Sequence, residues 1–434
     1  MFSLLDRLVR RIVEQGDLTI IGADGQARRY GDGSGEPIVV ALADRRIEAQ
    51  IAVDPQLALG EAFMSGRLQM RSGSIYDLLA LVLSNAERRG LPAWTMRLDG
   101  VRFLLRRIAQ FNPAARARRN VAHHYDLPAE LYDLFLDQER QYSCAYFDEA
   151  GEGDEVRLLD DAQRAKMRHI AAKLQIEPGH RVLDIGAGWG GLALYLARNF
   201  DADVTGITLS QEQLAWARDR AASERAAVRF DLKDYRGVAD RYDRIVSVGM
   251  FEHVGAPHYK AYFSQIRRLL ADDGVALVHA IGRSTPPTAT NPFIARYIFP
   301  GGYIPALSET LAGVERAGLI ATDVEILRLH YARTLRAWRL RFLANRSCAA
   351  RLMGEEFCRM WEFYLAASET AFRYQKLVVF QLQLVRRIDA LPIRRDYMHH
   401  REALLSPGDR EQPAQDHVWP LATRADSPHA SAGR

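Results

Sequence analysis

The stretch RVLDIGAGWGG at residues 181–191 decides the fold that the rest of the chain must fit. It is a short apolar run that ends in glycines at positions 186, 188, 190 and 191. Such a run predicts a buried strand entering a tight turn, because glycine tolerates positive φ and lets backbone N–H groups approach a ligand. Residues 192–199 are helix-like, so strand, glycine turn and helix follow in the order that a nucleotide-type cofactor needs.

The glycine spacing alone does not select the cofactor. Gly186, Gly188 and Gly191 also satisfy the G-x-G-x-x-G spacing of nicotinamide-binding folds. Those folds carry an acid about 20 residues further on, which holds the ribose hydroxyls, but residues 206–210 here read Gly-Ile-Thr-Leu-Ser. Asp184, inside the first strand, fits instead the loop of S-adenosylmethionine-dependent methyltransferases. We therefore predict S-adenosylmethionine as the cofactor.

Length and composition are those of an ordinary globular protein with room for two domains. No apolar stretch among the 434 residues approaches the roughly 18 residues of a membrane-spanning helix, and acids interrupt the leucines of the N-terminus. The three cysteines, Cys144, Cys348 and Cys358, form neither a disulfide framework nor a close metal cluster. We expect a cytosolic protein without a metal site.

The basic residues are unevenly distributed, although the net charge is only +4. Two acid-free stretches, residues 101–119 and 327–346, each hold six arginines. They are interpreted either as solvated helix faces or as contacts with the phosphates of a nucleic acid or an anionic membrane. Because no nucleic-acid motif accompanies them, a membrane surface is the better partner and we expect no nucleic acid.

Residues 1–110 are predicted to form a smaller mixed α/β N-terminal domain without a catalytic constellation. It begins with a basic amphipathic helix at residues 2–15, which either packs on its own protein or lies in a bilayer interface. Residues 19–26 and 37–53 alternate between apolar and polar side chains and predict strands. Helices are expected near residues 60–65 and 75–84.

From residue 181 onward, strands alternate with helices. Strands are predicted at residues 203–208, 228–234, 242–249, 274–281 and 324–329, with helices at 210–224, 257–270, 334–345 and 355–373. This alternation predicts a doubly wound, Rossmann-like α/β sheet whose ligands bind beyond the carboxyl ends of its strands. A final strand at residues 377–385, expected to be antiparallel, completes a domain assigned to residues 111–400, and the polar tail at 401–434 is expected to be disordered.

Two ionisable side chains follow neighbouring strands of the predicted sheet. Glu252 comes just after the fourth strand and His279 stands at the end of the fifth, so we expect them to converge near the cofactor. A carboxylate beside an imidazole can position a proton acceptor or hold a small anion. The alternative is structural, with Glu252 capping a helix and His279 bonded to backbone. Gln213 is likewise either a cofactor contact beside Thr208 or part of a capping box with Ser210.

Two further segments are dense in aromatic residues. Residues 120–147 precede the cofactor loop and are interpreted either as a lid that excludes water or as a capping subdomain. Residues 285–305 are rich in proline, glycine and aromatics and are expected to line an apolar substrate channel. An aromatic stripe at Phe357, Met360, Trp361 and Tyr364 is interpreted as core.

Seven segments, in order along the chain, resemble the cyclopropane-fatty-acyl-phospholipid synthase family. They are NVAHHYDL at 120–127, QYSCAYF at 141–147, VLDIG at 182–186, GITLSQEQ at 206–213, DYR at 234–236, DRIVSVGMFEHVG at 243–255 and YIFPGG at 297–302. The resemblance is strong over residues 110–395 and looser in the N-terminal domain. One departure is Ala187, where family members commonly have cysteine; the neighbouring glycines are intact, so we expect cofactor binding to survive.

The resemblance implies transfer of a methylene from S-adenosylmethionine to a cis double bond in a phospholipid acyl chain, giving a cyclopropane, with bicarbonate as the base. It implies that eight residues surround the cofactor: Tyr142, Ser143, Gly186, Gly188, Thr208, Gln213, Asp234 and Tyr235. It implies a second set around the base: the Cys144 backbone, Glu252, His279, the Ile281 backbone and Tyr331.

The resemblance also implies that the N-terminal domain contacts lipid surfaces and forms a homodimer, so the protein would associate peripherally with the inner face of the membrane. The nearest alternative is an enzyme that methylates the same double bond and yields a methyl-branched or methyl-unsaturated chain. A methyltransferase of small soluble substrates would not need the aromatic insertion, and a non-catalytic lipid-surface protein would not need Glu252, His279 and Tyr331.

Overall fold

The computed structural model describes residues 2–90, 127–148 and 154–405, together with several positions between 98 and 110. Most of the first family-like segment, residues 120–126, lies outside the described residues, as do four arginines of the 101–119 stretch. The tail that was expected to be disordered also lies outside them from residue 406.

The N-terminal unit is a four-stranded sheet in the order β2-β1-β3-β4, with β1 parallel to β3 and the other pairs antiparallel. Its elements are α1 (Phe2–Ile12), β1 (Leu18–Ile21), β2 (Ala27–Tyr30), β3 (Ile38–Leu42), α2 (Arg45–Val53), α3 (Pro55–Met64), β4 (Leu68–Ser72) and α4 (Ile75–Arg89). The mixed α/β unit expected before residue 110 therefore has a sheet of its own, while its buried apolar side chains belong to a core that continues into the second domain.

The strand prediction for residues 37–53 is wrong in its second half, which is helix α2. The Asp44 side chain caps this helix by accepting hydrogen bonds from the Arg46 and Ile47 N–H groups at 2.9 and 3.0 Å. Ile47 and Ile51 then fall one turn apart and are both buried. The cap and the helical spacing outweigh the local alternation that suggested a strand.

Helix α1 turns its apolar face into the protein. Leu5, Leu8 and Ile12 are buried, and the helix packs against α2 and α4, so this face lies in the core rather than being free to enter a bilayer. Among the described residues, no helix combines the length and the apolar character needed to cross a membrane.

The second sheet has seven strands in the order β10-β11-β9-β8-β5-β6-β7. Its strands are β5 (Arg181–Ile185), β6 (Asp203–Thr208), β7 (Val228–Leu232), β8 (Tyr242–Val248), β9 (Leu270–Arg283), β10 (Ile320–Leu327) and β11 (Leu377–Val385). Strand β11 runs antiparallel to both of its neighbours, β9 and β10, as predicted, and the other neighbouring pairs are parallel. The chain reverses its direction of winding between β5 and β8, which is where such sheets bind ligands.

Helices cover both faces of this sheet. They are α5 (Ala129–Asp133), α6 (Glu155–Leu174), α7 (Gly191–Phe200), α8 (Gln211–Glu224), α9 (Tyr259–Leu269), α10 (Leu307–Arg316), α11 (His330–Ala344), α12 (Arg346–Met353), α13 (Glu355–Tyr374) and α14 (Asp396–Leu405). The aromatic stripe of α13 is core, as interpreted from the sequence: Trp361 and Tyr364 are buried. The architecture is the expected Rossmann-like α/β domain.

The arginines of residues 327–346 do not form a free basic face. Arg339 pairs with the buried Glu369 at 3.0 Å, and Arg341 pairs with Asp160 at 2.6 Å. Arg333, Arg336 and Arg346 also lie within 4 Å of carboxylates, on Glu155 and Glu355. The acids come from other helices, so a search for nearby acids in the sequence could not find them.

The N-terminal unit supports the aromatic insertion of the second domain. Helix α3 presents Gly60 to the rings of Phe293 and Phe363, and Glu61 accepts hydrogen bonds from the Tyr297 hydroxyl at 2.8 Å and from Arg296 at 3.0 Å. The Phe293 and Phe363 rings pack edge to face at 4.7 Å. Residues 293–297 are thus held between the two domains.

Substituting Gly60 with alanine tests this contact. The new Cβ would lie 2.4 Å from Phe293 and 2.8 Å from Phe363, so the helix-propensity gain is outweighed by overpacking. We expect the free energy of unfolding to fall by about 1–3 kcal/mol in urea titrations. The matched control is Gly237→Ala, whose Cβ meets its nearest atom at 4.0 Å. Equal stability of the two variants would contradict the packing account.

Candidate active site

A cavity opens at the carboxyl ends of β5, β6 and β8, where the sheet changes winding direction. The eight residues assigned to the cofactor all line it: Tyr142, Ser143, Gly186, Gly188, Thr208, Gln213, Asp234 and Tyr235. Gly186 and Gly188 have φ of +84° and +56°, which explains why this turn needs glycine. The sequence therefore gathers these residues around one space, while their individual roles remain a prediction.

The far end of this cavity is built by short-range hydrogen bonds. Thr208 donates from its hydroxyl to Gln213 Oε1 at 3.1 Å, and Ser210 caps α8 by accepting from the Gln213 N–H at 3.3 Å. The Gln213 backbone thus takes part in the helix cap, while the residue also lines the cavity. The Asp234 carboxylate also lines the cavity and accepts from Arg236 at 2.7 and 2.8 Å.

Asp184 brings an unsatisfied carboxylate oxygen to the cavity. The residue is 2% exposed, and its Oδ2 has no hydrogen-bond partner among the described residues. Burial raises the pKa of Asp184 to about 7, and the nearby Lys166 ammonium acts in the opposite direction. A ligand that carries a positive charge would satisfy this oxygen.

A second cavity adjoins the first, and the five residues assigned to the base all line it. They are Cys144, Glu252, His279, Ile281 and Tyr331. Strands β8 and β9 are neighbours, as expected, and Val248 pairs with His279. Tyr142, Ser143, Gly249 and His253 line both cavities, so the two spaces share a wall.

Glu252 is fixed through one oxygen only. Its Oε1 accepts from the Ile281 N–H at 2.6 Å, whereas Oε2 is buried and has no hydrogen-bond partner among the described residues. Burial raises the pKa of Glu252 to about 7. The carboxylate therefore accepts a hydrogen bond from the carboxyl end of β9 instead of capping a helix, and it keeps one oxygen for a ligand.

His279 is 2% exposed and lies within hydrogen-bond distance of the Gln381 amide, with Nδ1 and Nε2 3.2 Å apart. Burial holds the pKa of His279 well below its usual range, so the imidazole is neutral near pH 7. Tyr331 packs edge to face against Trp338 and Phe372 at 5.8 and 4.9 Å. The polar groups of this cavity are thus held rigidly by buried neighbours.

The rest of the second cavity is mostly apolar. The 285–305 insertion supplies Ile294, Phe299, Tyr303 and Ile304 to its wall, and its use as a substrate channel stays a prediction. The Phe299 ring meets Tyr364 edge to face at 6.0 Å, and the Tyr364 hydroxyl lies 2.8 Å from that of Tyr142. An acyl chain matches this lining better than a polar small molecule.

Residues 141–147 pass between the two cavities as an extended strip, held on both sides. The Ala145 N–H donates to Thr334 Oγ1 and the Phe147 N–H donates to His330 Nδ1, each at 3.0 Å. The Tyr142 ring stacks on Trp338 at 5.1 Å. The strip is therefore a buried partition, and the lid proposed for residues 120–147 stays a prediction.

Some residues around the cavities gave no signal in the sequence. Arg140 lines the first cavity with its guanidinium 3.5 Å from the Trp216 ring centre, and it binds Asp133 through two hydrogen bonds. Lys166, from α6, is completely buried beneath the strip. Only the fold brings these side chains to the site, since neither belongs to a recognisable motif.

Comparison with known proteins assigns the family. A family model described as mycolic acid cyclopropane synthetase matches residues 113–382, and a model described as a domain of unknown function matches residues 5–89. The Escherichia coli K12 cyclopropane-fatty-acyl-phospholipid synthase is 37% identical over 363 residues, which cover 80% of this chain and 89% of that protein. This chain belongs to the cyclopropane-fatty-acyl-phospholipid synthase family.

Two further relatives bear on the chemistry. The tuberculostearic acid methyltransferase UfaA1 of Mycobacterium tuberculosis is 34% identical, with 88% of this chain and 91% of that protein covered. The crystal structure of mycolic acid cyclopropane synthase CmaA1 complexed with SAH and CTAB superposes with a TM-score of 0.58, at 33% identity, over 63% of this chain and 99% of that one. The protein is an S-adenosylmethionine-dependent methyltransferase of a lipid-modifying family.

A pair of glycine substitutions tests the first cavity as the cofactor site. Gly188 and Gly179 both have positive φ, and at neither would a Cβ meet any described atom within 4 Å. Alanine should therefore cost each variant about 1–2 kcal/mol of folding free energy. Only Gly188 lines the cavity, so we expect Gly188→Ala to weaken S-adenosylmethionine binding about tenfold or more by calorimetry. Equal affinity of both variants for S-adenosylmethionine would contradict the assignment of this cavity as the cofactor site.

Proposed function

We propose that the protein transfers a methylene from S-adenosylmethionine to a cis double bond of a phospholipid acyl chain and forms a cyclopropane. The observation that supports this most is the pair of adjoining cavities. One has the glycine turn and an unsatisfied carboxylate suited to a cationic cofactor, and the other is apolar with a buried acid and imidazole. The two cavities meet at Tyr142, Ser143, Gly249 and His253, so a donor in one and an acyl chain in the other would face each other away from bulk water.

The residues of the first cavity would bind and orient the donor. S-adenosylmethionine, when bound, supplies a methyl group activated by its sulfonium. The Asp184 Oδ2 atom suits the cofactor's ammonium group, and the positive-φ glycines let backbone approach it. An alkene is a weak nucleophile, so alignment of the two reactants and exclusion of water are the main tasks of the protein.

The second cavity would manage the charge that follows methyl transfer. Transfer to an alkene leaves a carbocation on the acyl chain, and loss of a proton from the new methyl group closes the ring. The aromatic residues Tyr142, Phe299 and Tyr303 line this space, and aromatic rings can stabilise a cation without bonding to it. His279 lies in the same cavity, but burial lowers its pKa, so its neutral imidazole is suited to hydrogen bonding rather than to taking up this proton.

We further propose that bicarbonate binds beside Glu252 and serves as the base. The free Glu252 Oε2, the neutral His279 and Tyr331 form a set of donors and acceptors of the size that a small oxyanion needs. The Ile281 N–H is bonded to Glu252, so Ile281 would act by orienting that carboxylate. When bound, bicarbonate would supply a proton-accepting oxygen close to the reacting carbon.

The second candidate is methylation of the same double bond without ring closure. The similarity of this chain to a relative named as a tuberculostearic acid methyltransferase supports this second candidate. The same donor cavity and apolar cavity would serve both reactions. Product mass separates them only in combination with a test for the cyclopropane ring.

We also propose peripheral contact with the inner face of the membrane, and a homodimer formed through the N-terminal domain. Since Leu5 and Leu8 of α1 are buried, contact with anionic lipid would use the outward face of that helix, which carries the exposed Leu4, Arg7 and Arg11. Flotation of the Arg7→Gln/Arg11→Gln variant with anionic vesicles tests the membrane contact, and sedimentation tests the dimer.

Replacing Glu252 with glutamine tests the proposed base site. We expect cofactor affinity to stay the same while turnover falls about 100-fold or more, the range of a lost acid–base group. Wild-type turnover should also fall in buffer stripped of carbon dioxide and recover when bicarbonate is added, whereas the variant should not respond. Turnover is measured as S-adenosylhomocysteine released in the presence of cis-unsaturated phospholipid vesicles.

The matched control is Glu48→Gln. Glu48 is also a buried glutamate, and its Oε1 likewise accepts one backbone bond, from the Ala23 N–H at 2.7 Å, but it lies in the N-terminal unit. This variant should turn over at the wild-type rate. If Glu252→Gln behaves like the control, the assignment of the base site is wrong.

A further inference from the structure

Helix α6 holds the partition between the cavities through two completely buried side chains. Gln163 and Lys166 stand one turn apart, and each has 0% exposure. Gln163 Nε2 donates to the carbonyl oxygens of Gln141 and Ser143 at 3.2 and 3.0 Å. Lys166 Nζ donates to Ser143 Oγ at 2.9 Å and to Gln141 Oε1. The helix thus binds two carbonyls and two side chains of the same strip.

A fully buried lysine needs a reason, because removing an ammonium from water is costly unless charges and hydrogen bonds compensate it. Burial lowers the pKa of Lys166 to about 8, and the carboxylates of Asp137, Asp184 and Glu139, together with the Cys144 thiol, act to raise it. Asp184 and Ser143 both line the first cavity. The charge therefore lies directly behind the surface that the cofactor would meet.

We propose that Lys166 is a positioning residue for methyl transfer, which holds Gln141 and Ser143 at the wall between the cavities and places its ammonium near the Asp184 carboxylate that lines the first cavity. The inference rests on the proposed use of the first cavity for S-adenosylmethionine. It does not depend on which lipid product forms.

If Lys166 acts in this way, the effect of its loss on ligand affinity depends on pH, which a loss of packing alone would not produce. The Lys166 ammonium lowers the pKa of Asp184, so its loss leaves more of Asp184 protonated near neutral pH. Raising the pH then ionises Asp184 in the variant, and it also discharges Lys166 in the wild-type protein. The ligand Kd of the variant should therefore approach that of the wild-type protein as pH rises. Asp137, Glu139, Cys144 and the more distant His279 also face this ammonium. Loss of the Lys166 charge raises the pKa of Asp137 as well, but Asp137 lines neither cavity.

Helix α6 offers a matched control in Lys173. It is also a buried lysine, at 2% exposure, but its ammonium pairs with Glu325 and with Asp323 on β10, and it lines neither cavity. Lys173→Met and Lys166→Met therefore remove the same charge from the same helix. Any loss of folding stability that follows from removing a buried lysine should therefore appear in both variants.

The experiment measures S-adenosylhomocysteine binding to the full chain by calorimetry at about pH 7 and about pH 8.5. For Lys166→Met we expect the Kd to rise about tenfold over wild type at the lower pH, and this ratio to shrink at the higher pH. Lys173→Met should lower thermal stability and leave the Kd unchanged. If Lys166→Met does not fold, Lys166→Gln keeps hydrogen bonding to Ser143 without the charge and should show the same convergence.

Two results would overturn the proposal. One is an equal change of Kd in the Lys166 and Lys173 variants, which would mean that only packing is lost. The other is a ratio for the Lys166 variants that does not change with pH, which would mean that Asp184 is not involved. Because the ligand binds without lipid, these results remain readable even if the protein makes no cyclopropane; failure of the wild-type protein to bind the ligand would instead contradict the proposed cofactor site.

Discussion

The hydrogen bond from the Ile281 N–H to Glu252 Oε1 is the interaction on which the site depends. It joins the turn after β8 to the carboxyl end of β9. It also leaves Glu252 Oε2 buried without a hydrogen-bond partner in the described part of the chain. A buried carboxylate is expensive to maintain unless a ligand uses it. Its position in an apolar cavity, next to a neutral imidazole, accounts for both the isolation from water and the proton chemistry that the proposed reaction requires.

The remainder of the fold keeps that arrangement rigid. The strip at residues 141–147 is bonded to α6 on one side and to α11 on the other, so the partition between the cavities does not rest on loop contacts alone. The aromatic insertion is braced by α3 of the N-terminal unit through Gly60 and Glu61. The smaller domain thus contributes to the shape of the apolar cavity, whatever it contacts outside the molecule.

Much of this could be predicted from the sequence because the signals are local. The glycine turn, the strand alternation and the family-like segments placed all thirteen proposed site residues around two adjoining cavities. Partners distant in sequence could not be predicted. The arginines of residues 327–346 have their acids on other helices, and Lys166 looks like a surface residue of an ordinary helix. Helix α2 was mistaken for strand because the Asp44 cap outweighs a short alternation.

The most direct test of the central claim is NMR of lipids extracted after the purified protein has acted on vesicles of cis-unsaturated phospholipid with S-adenosylmethionine labelled with ¹³C at the methyl group. We expect the label to appear as a ring CH₂ with upfield protons and the olefinic signals to decrease. Label in a methyl or exomethylene group would contradict ring closure and favour the methylating alternative. Absence of label from the lipid would contradict the proposed substrate.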